Sequence, residues 1–164
     1  MKRYSIILIL FCLFLANACG KFKLEGGNIY ADLLVTKDDA EEIFGEPMRL
    51  EALEKNDENN FCSYASTAGN NGNNLQAAFQ TAPDLETLVA ANELAKQYAI
   101  RTGAKVQTID GIGEAAWLET DEYEQRLYVR KNKVVFIITF SGDMSKGSGL
   151  EGIKNVSKRV AEML

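Results

Sequence analysis

Short apolar segments separated by polar turns dominate the second half of the chain, and they constrain the fold more than any other feature. One of them, 133–140, contains five consecutive apolar residues from Val134 to Ile138. Such an unbroken run is typical of a central strand that is covered on both faces. Asn132, between two lysines, indicates a tight turn, and strands joined by short turns are antiparallel neighbours. The sequence therefore predicts antiparallel strands at 105–109, 115–119, 125–130 and 133–140.

The first half of the chain begins with a well-marked helix. Thr36 is placed to cap a helix whose first turn is acidic, and Gly45 followed by Pro47 ends it. Three strands are expected after this helix, at 48–53, 61–66 and 75–81. The last of them alternates between apolar and polar residues, as a half-buried strand does.

Two further helices are predicted. Asp84 opens one that ends near Gly103, with an inward face made of Leu88, Ala91, Ala95 and Tyr98. The other covers 149–163, with Leu150, Ile153, Val156, Val160 and Met163 on one side and Lys154, Lys158 and Arg159 on the other. This order of elements predicts an α+β fold, a mainly antiparallel sheet with about three packed helices. The two halves, 36–81 and 84–141, both read helix then strands, which is typical of an internal duplication, although they share few residues.

The N-terminal segment has the features of a signal peptide. Lys2 and Arg3 precede an apolar run of 11 residues, 6–16, which is shorter than the roughly 20 residues needed to span a bilayer. Residues 15–20, with the letters LANACG, resemble a lipobox, the motif whose cysteine receives a diacylglyceryl group. A cysteine is rare at this place by chance, so we predict cleavage after residue 18 and lipidation of Cys19. The alternative is ordinary cleavage at the same place and release of a secreted protein.

The predicted chain thus has three parts: a signal peptide at 1–18, a lipidated tether at 19–29 and a single α+β domain at 30–164. Membrane lipid attached to Cys19 would hold the domain on the cell membrane or the outer membrane, facing the periplasm or the exterior. In a two-membrane bacterium, Gly20 favours the outer membrane. Cleavage removes two of the 18 basic residues, so 16 remain against 23 acidic ones, a net charge of −7. A domain this acidic is not expected to bind nucleic acid.

The residue inventory excludes several kinds of active site. The chain has no histidine, and beyond Cys19 the mature part keeps only Cys62. A zinc site is therefore not expected, since only carboxylate ligands remain, and serine or cysteine nucleophiles paired with histidine are excluded. Cys62 is expected to be a small buried residue rather than a reactive thiol. The glycine pattern at 147–152 is expected to be a flexible loop and helix start, because a dinucleotide site needs a following strand and acid. We predict no catalytic, cofactor-binding or metal-binding residues.

Acidic residues cluster between two of the predicted strands, at Glu119, Asp121, Glu122 and Glu124. Paired carboxylates can catalyse glycoside hydrolysis or bind a hard cation. Four carboxylates in one connection instead favour a solvated acidic turn. The residues predicted to line a pocket or binding surface are Trp117, Glu114, Glu119 and Tyr64, although lone aromatic residues on strands are more often part of a core.

Three stretches of the mature chain form a recognisable combination. They are LVT to GEP at 34–47, CSY at 62–64, and GIGEAAW from 111 running on to LYVR at 127–130. Together they resemble small envelope lipoproteins of unknown function, whose domain is similar to the extracellular sensor domains of bacterial Ser/Thr kinases. Such domains commonly carry a disulfide at the C-x-Y position, whereas Cys62 has no partner thiol in the mature chain. The resemblance implies no enzyme activity and assigns no functional residues.

The function expected from the sequence is that of a membrane-anchored lipoprotein with a non-catalytic domain. The domain would bind a small ligand or another protein of the cell envelope. One alternative is an envelope hydrolase that uses carboxylates alone. The other is a purely structural envelope protein, which would expose a sizeable apolar patch and have no pocket.

Overall fold

A computed structural model describes residues 30–55, 60–69, 72–82 and 84–164 of the chain. The predicted signal peptide, the tether and Cys19 lie outside the described residues. The helices of the described part are α1 (Ala31–Leu34), α2 (Lys37–Phe44), α3 (Leu85–Arg101) and α4 (Gly149–Met163). Its strands are β1 (Met48–Lys55), β2 (Asn60–Ser66), β3 (Asn74–Thr81), β4 (Lys105–Thr108), β5 (Ala115–Thr120), β6 (Gln125–Lys131) and β7 (Val134–Ser141).

All seven strands form one antiparallel sheet in the order β1-β2-β3-β7-β6-β5-β4. Each half of the chain contributes a run of sequentially paired strands, β1–β3 and β4–β7. The pairing of β3 with β7 unites them over eight residue pairs, from Asn74 with Ser141 to Thr81 with Val134. The predicted α+β fold with a mainly antiparallel sheet is confirmed, and the unbroken apolar run occupies the central strand, as predicted.

The two faces of the sheet carry different side chains and different helices. On the first face, Phe136 and Ile138 of β7 are fully buried and belong to the main core, to which α1, α2 and α4 contribute. On the second face, Val135 and Ile137 meet Leu88 of α3 in a smaller cluster. Because α2 lies on the first face and α3 on the second, the two halves of the chain place their helices differently. The internal duplication stays a prediction.

Helix α2 begins and ends as its sequence predicts. The side chain of Thr36 accepts a hydrogen bond from the backbone N–H of Asp39, and the Asp39 carboxylate accepts one from the backbone N–H of Thr36. This reciprocal cap satisfies two N–H groups that the first turn would otherwise leave unpaired. Gly45 ends the helix with a left-handed backbone (φ 68°), and Ile43 and Phe44 are buried in the main core.

Gly147, just before α4, and Gly45, at the end of α2, allow two backbone segments to pack closely. A Cβ atom on Gly147 would lie 2.2 Å from the carbonyl oxygen of Ile43, and one on Gly45 would lie 2.3 Å from that of Lys146. The backbone N–H of Ser148 donates to the carbonyl oxygen of Glu42 at 2.9 Å. The predicted helix start is therefore confirmed, and the loop before it is fastened to the end of α2.

Arg159 of α4 links the last helix to the beginning of the domain. Its guanidinium donates to both carboxylate oxygens of Asp39, at 3.0 and 2.7 Å, and to the carbonyl oxygen of Leu34 at 3.0 Å. Burial raises the pKa of Asp39, but the hydrogen bonds from Arg159 and Thr36 outweigh burial and leave that pKa below its usual value. Arg159 lies at the surface, as predicted, yet its charged end is committed to the buried Asp39.

The helices differ from the prediction in three details. Tyr98 and Met163, predicted to face inward, are 42% and 50% exposed. In α3 the buried residues are Leu88 and Ala99, and the sequence pattern does not predict α1. No helix of the described residues has both the length and the apolar character that crossing a membrane requires.

Replacing Asp39 with alanine should lower the free energy of unfolding by about 2–3 kcal/mol at pH 7, because charged hydrogen bonds and a helix cap are lost. The pKa of Asp39 is lower in the folded chain than in the unfolded chain. Its contribution is therefore complete above the unfolded pKa and is lost as the pH falls through the folded pKa. Urea denaturation at pH 7 and towards pH 3 should show the difference between wild type and D39A shrinking with acidity. The exposed Asp38 provides the control, and an equal loss for D38A would contradict this role of Asp39.

Candidate functional site

Trp117 lies on the second face of the sheet, beneath α3, and only 3% of it is exposed. Its ring stacks on that of Tyr128, the residue opposite it on β6, with ring centroids 3.8 Å apart and planes 6° apart. The indole N–H donates to the side-chain oxygen of Asn92 on α3 at 3.1 Å. Because a buried indole N–H needs an acceptor, this hydrogen bond fixes where α3 lies over the sheet.

Glu119 shares the second face with Trp117, two residues further along β5. Its carboxylate is 7% exposed and accepts hydrogen bonds from Arg126 at 2.9 Å and from the Tyr128 hydroxyl at 3.1 Å. Burial, and then the neighbouring negative charge of Glu119, raise the pKa of Tyr128 well above its usual value. Tyr128 therefore stays protonated and connects the indole to the carboxylate, contacting the first with its ring and the second with its hydroxyl.

Arg126 gathers most of the predicted acidic turn around one guanidinium. Besides Glu119, it lies 3.6 Å from the carboxylate of Asp121 and contacts that of Glu124. The prediction of a solvated turn is therefore wrong for Glu119, although Glu122 is exposed. Glu119 and Arg126 sit directly opposite each other in the β5–β6 register, which the sequence alone does not reveal.

Glu114 lies at the other end of the β5–β6 pair. Its carboxylate accepts a hydrogen bond from Arg130 at 2.5 Å and one from the backbone N–H of Asn132 at 3.2 Å. Arg126, Tyr128 and Arg130 alternate along one face of β6. Glu114 and Glu119 are therefore each held by an arginine, and Tyr128 lies between the two arginines on that strand.

Tyr64 lies on the first face of the sheet, away from Trp117, Glu114 and Glu119. It is 3% exposed, and its hydroxyl donates to the carbonyl oxygen of Val35 at 2.9 Å. Cys62 is fully buried on the same face, and burial raises the pKa of its thiol to about 12. The thiol therefore stays protonated, which confirms that Cys62 is a buried structural residue, and Tyr64 belongs to the core.

The most prominent surface feature is apolar and lies on α3. Half of the ten exposed large apolar side chains of the described residues belong to this one helix: Leu85, Val89, Leu94, Tyr98 and Ile100, each 42–60% exposed. By contrast, the helix buries only Leu88 and Ala99. The sequence does not reveal this surface, because apolar residues at helical spacing are expected to face the sheet.

Two depressions on the domain are small and polar. The larger, about 200 Å³, lies beside the acidic turn and the start of the loop at 141–144, and the smaller, about 110 Å³, lies among Glu46, Asn73, Asp143 and Lys146. In the part of the chain that the structure describes, no three His, Cys, Asp or Glu residues are grouped so that they could hold a metal ion. Comparison of the chain with models of protein families, with curated proteins and with solved structures finds no match to any of them.

Replacing Arg126 with methionine should lower the free energy of unfolding by about 2–3 kcal/mol, because Glu119 would remain buried without its charged partner. The matched control is R130M, two residues away on the same face. Its partner Glu114 is more exposed, so the expected loss is about 1 kcal/mol or less. Urea denaturation followed by Trp117 fluorescence measures both. Equal losses would contradict the special position of Glu119.

Proposed function

We propose that the chain is a bacterial lipoprotein, held on a membrane by lipid on Cys19, whose domain binds a protein of the cell envelope without catalysing a reaction. The binding surface consists of the exposed apolar side chains of α3, which lie on two flanks of the helix: Leu94 and Tyr98 on one, and Leu85, Val89 and Ile100 on the other. We call these five residues together the α3 surface. The concentration of these five side chains on one helix is the observation that carries the proposal.

The lipid anchor rests on the sequence around Cys19. An 11-residue apolar run after two basic residues, followed by LANACG, is the arrangement that lipoprotein precursors show. Ten residues separate Cys19 from Tyr30, the first described residue. Even fully extended, they span at most about 40 Å. An anchored domain would therefore meet partners that lie at or near the same membrane.

A protein partner fits the α3 surface better than a small ligand fits the depressions. Single exposed apolar residues are ordinary, but several on one helix mark an interaction site, because burying each gains about 1.5–3 kcal/mol. Pockets for small ligands usually enclose about 300–1,000 Å³ and are mainly apolar. The depressions of about 200 and 110 Å³ are smaller, and polar residues line them.

The carboxylate hydrolase gains little support from Glu114 and Glu119. A glycosidase pair needs one carboxyl group that can be protonated and a second one facing it across the substrate. Here each carboxylate accepts hydrogen bonds from its own arginine, and Glu114 lies just before β5 whereas Glu119 lies near its end. Two carboxylates that are each held by a separate arginine suit a structural role.

A purely structural envelope protein is the second candidate function. It is favoured by the same observation, since a structural protein would assemble through an apolar patch and would not need a pocket. The two candidates differ in what forms through the α3 surface, a discrete complex for a binding domain or an extended assembly of many copies for a structural protein.

Replacing Cys19 with alanine should release the protein from the membrane. Wild-type chain should incorporate labelled palmitate and sediment with membranes, whereas C19A should do neither, because both depend on the thioether-linked lipid. C62A is the control, since its buried thiol is not expected to carry lipid. A C19A chain that still incorporates palmitate would refute the anchor.

A photoreactive amino acid in place of Leu94, in the full-length protein in cells, should give covalent adducts of higher mass. The same residue at Lys158, which is exposed on α4, should give at least tenfold less adduct. The variant E119Q should leave the adduct yield unchanged, because binding does not depend on that carboxylate. Equal yields at positions 94 and 158 would refute the α3 surface as the binding site.

A further inference from the structure

We infer that α3 pairs with α3 of a second copy of the chain, antiparallel and about a two-fold axis, when the domains are anchored to the same membrane. This inference rests on the proposed function, because it takes one flank of the α3 surface, Leu94 and Tyr98, as the binding site and names its partner. The contact consists of Thr87, Ala91, Leu94 and Tyr98, which we call the α3 stripe.

The spacing of the stripe fits a helix–helix contact. Its residues are separated by four, three and four positions, the a and d spacing of coiled coils. At 100° per residue they fall within about 60° of one another, and they lie roughly a quarter-turn away from the buried Leu88 and Ala99. Leu94 is 60% exposed and Tyr98 is 42% exposed. The stripe is therefore available to a second helix while α3 stays on its own sheet.

An antiparallel pair matches large residues with small ones. When two α3 helices cross at their midpoints, Leu94 of each copy meets Ala91 of the other, and Tyr98 meets Thr87. Small residues opposite large ones allow two helices to approach closely. A two-fold axis makes every contact occur twice, as in the commonest kind of homodimer.

Charges at the two ends of the helix complement this arrangement. Asp84, the N-cap of α3, then lies beside Arg101 of the other copy, and both are exposed. The positive end of each helix dipole meets the negative end of the other. A parallel pair would instead place the two Asp84 carboxylates together and the two Arg101 guanidinium groups together.

The other flank of α3 is less suited to a helix. Leu85, Val89 and Ile100 lie on it, but Glu93 and Lys96 interrupt them in the middle. The stripe has no charged residue between Thr87 and Tyr98 along its line. Charges at the centre of a helix pair must be desolvated, which favours the stripe.

A membrane surface is a weaker match for the same side chains. Helices that lie on membranes carry lysine and arginine on their polar side. In α3, Glu86 and Glu93 are balanced by Lys96 and Arg101, so the helix lacks a basic excess. The mature chain as a whole has 23 acidic residues against 16 basic ones, and this net negative charge opposes binding to anionic headgroups.

Membrane anchoring would compensate for the small area that the contact between the two helices buries. Stable protein pairs usually bury about 1,200–2,000 Å² in total, more than one pair of short helices provides. Confinement to one membrane raises the effective concentration of the copies and allows a weak contact to form. The pair should therefore be populated on the membrane and sparse in dilute solution.

Disulfide trapping between two differently tagged full-length chains in the same cells tests the pairing. T87C in one chain and Y98C in the other should cross-link on mild oxidation, as should A91C with L94C. T87C with T87C and Y98C with Y98C should give at least tenfold less product, because these pairs are far apart in an antiparallel arrangement. The reverse pattern would mean parallel helices, and no product from any pair would mean no helix pairing. Either result overturns the inference.

Disruptive variants separate this inference from the proposed function. L94E in the A91C chain, paired with a partner chain carrying L94C, should reduce the disulfide yield at least tenfold, whereas K158E, at an exposed position of α4, should change it less than twofold. A chain that sediments with membranes but gives no disulfide refutes the pairing and leaves the anchor intact.

A fluorophore on L94C that is quenched by brominated lipid would place the stripe on the membrane and also refute the pairing. If wild type, like C19A, incorporates no palmitate, the oligomeric state of concentrated full-length protein is measured by analytical ultracentrifugation instead. A protein that remains monomeric at high concentration refutes the pairing.

Discussion

The pairing of β3 with β7 is the contact on which the rest of the domain depends. It joins residues about 50 to 70 positions apart in the chain and brings two separate runs of strands into one sheet. Register fixes the faces: Ala77 opposite Ile138 points to the main core, and Ala78 opposite Ile137 points to the other side. A slip of one residue would exchange the two faces along the whole strand, so the alternation on β3 of buried Leu75, Ala77 and Phe79 with Gln76 and Gln80 holds the register.

The helices that pack on the two faces of the sheet are held there by different interactions. On the first face, α1, α2 and α4 bury a continuous apolar core, and Arg159 fastens the last helix to Asp39. On the second face, α3 meets only a small apolar cluster and depends on the hydrogen bond from Trp117 to Asn92. The first face therefore supplies most of the stability, while the second carries a helix whose own apolar side chains remain in water.

Signals between neighbouring residues were sufficient to predict the helices and strands, but they did not predict which distant side chains become partners or which side chains of α3 are exposed. The cap at Thr36, the stop at Gly45 and the turn at Asn132 placed helix and strand ends within one or two residues, because each depends on neighbours in the sequence. The partnership of Arg159 with Asp39 joins residues 120 positions apart, and that of Arg126 with Glu119 depends on strand register. Neither could be predicted before the sheet order was known. The candidate residues Trp117 and Glu119 do share one face, whereas Tyr64 lies on the other.

Helix α3 shows why apolar periodicity alone misplaced the surface. Apolar residues surround most of its circumference, so any stripe at helical spacing satisfies the pattern for an inward face. The polar Asn92 decides the matter, because its side chain accepts the buried indole hydrogen of Trp117 and turns Leu88 and Ala99 towards the sheet. A helix held by this hydrogen bond and a small apolar cluster has apolar residues to spare, and a protein that keeps them exposed incurs a cost in solubility. Retaining such a helix is easiest to understand if a second surface covers it, and a lipid anchor would keep that second surface close.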